Sequence, residues 1–166
     1  MNRNIKIVGV NIDGQFGGRV LINQNLNTAG ETSVRLSNVE FKGMGQFGYS
    51  DPDDPRFSLA IVGVTSFATV TGCVFRDSFS TAIGAIHSFN VNLQSNVVVR
   101  PIGDGIRIAG VGTGNKLEAN IVINVVHPLL ETQVEVDFCV ITRFRIKISI
   151  LAYPYNLFLK SCYTQR

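Results

Sequence analysis

The chain has 166 residues, of which 45% are hydrophobic and 16% charged, and its mean hydropathy is +0.22. That composition builds one globular core and excludes disorder as a general description. Fifteen Lys and Arg against 12 Asp and Glu leave a net charge of +3, and because these charges are scattered rather than gathered in a run or stripe, nucleic acid is not an expected partner.

From the start of the chain, Met1 to Asn11 mix Asn, Arg, Lys and Val and lack the apolar core of about 7–15 residues that a signal peptide needs. Short apolar runs follow: Ile5–Val10, Arg19–Asn23, Ser33–Leu36 and Leu59–Val62, set between clusters of Gly, Asn, Asp and Ser. They read as many short strands punctuated by turns. All 16 glycines lie between Gly9 and Gly114, and none follows. In that glycine-free part, Gln133–Thr142 and Arg143–Ile150 alternate apolar and polar residues, the pattern of strands with one buried face. The segment 128–166 is either a closing cap or a tail foreign to what precedes it. Its longest apolar stretch, Ile148–Leu159, is interrupted by Pro154 and Asn156 and falls short of the roughly 20 residues that cross a bilayer, so no transmembrane segment is expected.

One phrase recurs, in Val34–Phe41, Ala68–Phe75, Asn92–Val99 and Lys116–Ile123: strand, polar corner, strand. Its corners are Asn38, Cys73, Asn96 and Asn120, evenly spaced except for a long first interval that holds the insertion Asp51–Pro55. The regular period, about 23–24 residues, is that of a solenoid, and short strands with Asn or Gly corners suit a parallel β-helix in which like residues stack. Asn serves at corners because its short amide tolerates left-handed backbone angles and bonds to main-chain groups that the sheets leave unpaired. Cys73 takes the same inward slot, so it is expected to be a buried, inert thiol. A second phrase, Thr81–Ser88 against Gly103–Gly110, supplies a third face. Residues 1–127 then make about five to six coils, followed by a β-rich tail at 128–166.

Glycan-active β-helices need carboxylates that converge on one face. Asp77 and Asp104, separated by one coil and a small offset, are the candidates for such a pair, against the simpler reading that each caps a turn. Phe47, Tyr49 and Phe57 flank the acidic insertion and, with Asp51, Asp53 and Asp54, form a candidate binding loop for a sugar or a protein. The same three aspartates could ligate calcium, although the loop lacks EF-hand spacing. His87 and His127 stand far apart in the chain and make no metal-ligand spacing, so no metal centre and no other cofactor is expected.

Leu36–Arg56, Val70–Phe75, Phe79–Gly84, Gly103–Ile108 and Phe16–Leu21 together resemble the fibrocystin family. The likeness runs over about residues 3–126. The resemblance implies a right-handed parallel β-helix of the pectin-lyase-like kind, taken from a large extracellular or ciliary-membrane ectodomain that is itself membrane-anchored. Cell-surface hyaluronan-degrading proteins share that layout, which supports the enzyme alternative. The chain departs from the family pattern after His127, where a stretch rich in Trp, Pro and Gly is replaced, and it resembles a fragment or isoform. The expectation is an all-β module that engages an extracellular protein or glycan without catalysis; the alternative is a hyaluronidase-like or lyase-like domain.

Overall fold

The computed structural model describes residues 5–10, 13–24, 33–48 and 54–125, and the backbone of 139–140 and 144–146. Within them the chain forms short strands and no helix: β1 Ile5–Val8, β2 Val20–Asn23, β3 Ser33–Ser37, β4 Val39–Lys42, β5 Leu59–Val62, β6 Phe67–Thr71, β7 Val74–Arg76, β8 Ile83–Ile86, β9 Val91–Gln94, β10 Val97–Val99, β11 Ile106–Ala109, β12 Gly112–Thr113, β13 Lys116–Ile123, β14 Cys139–Val140 and β15 Phe144–Ile146. Gly, Asn and Ser between the apolar runs keep each strand to a few residues.

Strands β1 to β8 each pair in parallel with the strand three places further along. Three parallel sheets result. The first runs β1-β4-β7-β10-β13, the second β2-β5-β8-β11, and the third β3-β6-β9-β13. β13 belongs to two sheets because it turns at Ala119, whose φ is +53°; Lys116–Glu118 pair with β9 and Ile121–Ile123 with β10. The described strands make four complete rounds of three, called coils below, and enter a fifth. The all-β, parallel expectation holds, and the arrangement is compatible with a parallel β-helix.

Parallel stacking aligns like with like, so the alternation in each strand sends one residue set inward throughout. Val20, Leu59, Ile83 and Ile106 are in register, as are Leu36, Val70, Leu93 and Leu117. Leu59, Ile83, Val70, Leu93 and Leu117 are fully buried, each contributing about 1.5–3 kcal/mol of transfer free energy. Phe41 and Phe75 stack with ring centroids 4.6 Å apart and planes within 2°, the separation that consecutive parallel strands impose.

The corner ladder differs from the sequence reading by one residue in its first member. Register aligns Val39, not Asn38, with Cys73, Asn96 and Asn120. Asn38 has a φ of +57° and stacks with Gly72, Ser95 and Ala119, which are also left-handed. The shift follows from geometry: the outer corner needs the left-handed backbone, whereas the inward slot needs a group that reaches the main chain. Gly72, at φ +63°, meets the same left-handed demand without a side chain, and a Cβ there would stand 2.8 Å from Asn38 Oδ1 and push that side chain aside.

The boundary at 127/128 and nearly all of the 128–166 tail lie outside the described residues, as do Tyr49, Asp51, Asp53 and His127. Of the tail, β14 pairs in parallel with β12 and β15 with β13.

Candidate functional site

Four loops lead from the first sheet to the second, before β2, β5, β8 and β11, and they stack along one edge. The loop before β5 carries the insertion. It is closed by Gln46 N–H donating to Arg56 O at 3.0 Å and tied to the preceding coil by Gly17 N–H to Gly45 O at 2.8 Å and Gly45 N–H to Gly18 O at 2.7 Å. Side chains complete the fastening. Arg19 donates to Asp54 Oδ1, Arg56 Nε donates to Asp54 Oδ2 at 2.7 Å, and Arg56 Nη1 donates to Gln46 Oε1 at 2.5 Å. The Arg19 hydrogen bond first, and that from Arg56 second, hold the Asp54 carboxyl below its usual range.

Asp77 sits at a left-handed corner with φ +55° and receives Arg100 Nε from the next coil at 2.8 Å. That bond makes the Arg100 guanidinium harder still to deprotonate. Asp104 lies on that next coil, its main-chain oxygen accepting Ala82 N–H at 2.9 Å and its carboxylate 4.0 Å from Arg107. Asp54, Asp77 and Asp104 therefore share one edge, but each faces an arginine. Among the described residues no three His, Cys, Asp or Glu side chains gather as a metal site would require.

The aromatic candidates separate. Phe47 is 48% exposed on the insertion. Phe57 is 7% exposed and lies on the outside of the second sheet in a small cluster with Ala60, Ile86 and Val62. A Cβ on Gly84 would overlap its ring. Packing of the loop back onto the coil, rather than a binding platform, accounts for Phe57. His87 is an exposed left-handed corner residue whose Nδ1 accepts Val111 N–H at 3.1 Å.

Cys73 is buried, its Sγ 3.6 Å from Thr71 O. Its own N–H donates to Asn96 Oδ1 at 3.0 Å, and Asn96 N–H donates to Asn120 Oδ1 at 3.0 Å. On the outside of the first sheet, Glu40 is only 8% exposed and bonds Arg76 Nη2 at 2.5 Å with Lys6 Nζ at 3.5 Å. The Arg76 bond is the main cause that lowers the Glu40 carboxyl, against an opposing effect of burial. Sequence reasoning did not single out Arg19, Arg56, Arg100 or the Glu40–Arg76 pair.

The sequence of the chain is similar to that of curated proteins. It is 34% identical to human fibrocystin-L and 36% identical to mouse fibrocystin-L, in each case over 140 residues and 77% of this chain. The chain is fibrocystin-like. It spans about 3% of the length of these curated relatives. No family model matches the chain, and no solved structure matches it significantly. Among the described residues there is no helix long and apolar enough to cross a membrane.

Proposed function

We propose that the chain is a stretch of right-handed parallel β-helix from a fibrocystin-like extracellular or cell-surface module, and that it engages a protein or glycan without turning it over. The parallel pairing of every third strand and the inward Asn ladder support the β-helix. The likeness to fibrocystin-L supports the extracellular placement and a membrane-anchored parent.

The observation that carries the functional half is the pairing of the candidate carboxylates. A glycosidase acid must hold its proton near neutral pH, which needs a raised pKa. Asp54 is pushed the other way by Arg19 and Arg56. The Asp77 carboxylate is spatially engaged by Arg100 at 2.8 Å. Such pairs close loops onto coils. Calcium at Asp51, Asp53 and Asp54 is not part of this reading, because both Asp54 oxygens already face guanidinium groups.

The test is polymer length. Hyaluronan and polygalacturonate are incubated with protein shown by circular dichroism to be folded, then sized by chromatography. Unchanged chains are expected. Shortened chains that disappear with Asp77→Asn or Asp104→Asn would replace this reading with the glycan-active one.

A further inference from the structure

Most cations of the described residues sit in ion pairs. Lys6 and Arg76 are neutralised by Glu40, Arg19 and Arg56 by Asp54, Arg100 by Asp77 and Arg107 by Asp104. Arg35, Lys42 and Lys116 are exposed and belong to no such pair; Lys42 lies on the first sheet, and the third sheet carries both Arg35 and Lys116. Register sets them in one outward row: Arg35 beside Thr69, Thr69 beside Asn92, and Asn92 beside Lys116. Three strand spacings separate the two cations, about 14 Å along the stack.

The rest of that face is chemically of one kind. Val34, Leu36, Val70, Val91, Leu93 and Leu117 alternate with the row and pack in or against the core, which leaves hydroxyl and amide groups pointing outward. Gln94 occupies the neighbouring outward row, next to Glu118. Phe67, at the start of β6, is 60% exposed. A flat ladder of hydroxyl and amide groups with unpaired cations at its ends and an exposed ring at its margin is complementary to a polyanion made of hydroxylated rings.

We infer that the outward face of the third sheet, built on Arg35, Thr69, Asn92, Gln94, Lys116 and Phe67, binds an anionic polysaccharide. The inference rests on the non-catalytic reading above and names its partner. Carboxylates of the polymer pair with Arg35 and Lys116, sugar hydroxyls bond the amides and hydroxyls between them, and the apolar side of a ring covers Phe67. Glu118 limits how many anionic groups the face accepts, which favours polymers with spaced rather than contiguous charge.

The full chain is passed over immobilised hyaluronan and polygalacturonate, with dextran as the neutral polymer, and affinity is followed against salt. Arg35→Gln combined with Lys116→Gln is expected to weaken binding about tenfold or more. Phe67→Ala should weaken it without changing the salt dependence. Lys42→Gln removes an unpaired cation from a different sheet and should leave affinity unchanged. The inference is overturned if neither polyanion binds, if dextran binds as well, or if Lys42→Gln weakens binding as much as Lys116→Gln. Absence of binding with polymer length unchanged defeats this face alone, whereas polymer shortening defeats the non-catalytic reading itself.

Discussion

Asn120 Oδ1 accepts both the main-chain N–H and the side-chain Nδ2 of Asn96, each at 3.0 Å, across one coil. The Asn96 amide repeats the move on the coil before, taking Cys73 N–H at 3.0 Å and giving Nδ2 to Val70 O at 2.9 Å. Both residues are fully buried. Asn96→Ala leaves Cys73 N–H without its acceptor and Val70 O without its side-chain donor, a loss of about 2–4 kcal/mol. Denaturant unfolding checks it; a change below the error of the fit would mean that the amide is not buried as described.

The same slot predicts a substitution that is tolerated. Cys73 Sγ lies 3.9 Å from Leu36 O, the carbonyl that stands to Cys73 as Val70 O stands to Asn96. Cys73→Asn therefore extends the ladder by one coil and satisfies a main-chain acceptor that the thiol meets weakly. Thermal unfolding should show a midpoint no lower than that of the unsubstituted chain. A clear fall would show that the slot is too small for an amide at this coil.

Gly84 and Phe57 form a coupled pair. Gly84→Ala forces the Phe57 ring off the outer face of the second sheet and should cost about 1–3 kcal/mol, as overpacking does. Phe57→Ala should cost a similar amount by uncovering Ala60. In the double variant the Gly84→Ala penalty shrinks, because the obstructing ring is gone. A double-mutant cycle measures this; strictly additive costs would refute the contact.

Much of this architecture is legible in the chain. The short runs between Gly and Asn clusters, the regular repeat period and the inward Cys73, Asn96 and Asn120 all follow from pattern. Asn38 takes the left-handed corner and not the inward slot one residue on, and because Asn suits both, only register tells them apart. The ion pairs escaped because their partners are far apart in sequence. Yet Arg100 follows Asp77 by 23 residues, one coil, and that spacing could have paired them. The longer Glu40–Arg76 separation of 36 residues contains the insertion. Phe57 reads as an exposed loop aromatic until the loop is seen to fold back over Ala60 and Gly84.

The acid response follows from Glu40. Its carboxyl is lowered from the usual 4.5, chiefly by Arg76, so its contribution is present above the unfolded pKa and is lost as pH falls through the folded one. Asp54, lowered from 3.8 by Arg19 and Arg56, has the same sign. Arg76→Gln should reduce the melting temperature at pH 7, and the gap to the unsubstituted chain should close below about pH 4. A gap that stayed constant across that range would contradict the pairing.

Every placement on the loops and faces depends on the register that stacks Cys73, Asn96 and Asn120. Residue-resolved amide exchange by NMR tests it most directly. The Cys73 and Asn96 amides, bonded to side-chain oxygens of the following coil, should exchange as slowly as the strand amides of β7 and β10, and Asn96→Ala should release the Cys73 amide while residue 96 stays protected. Rapid exchange of Cys73 N–H in the unsubstituted chain, or indifference to Asn96→Ala, would contradict the stacked coils.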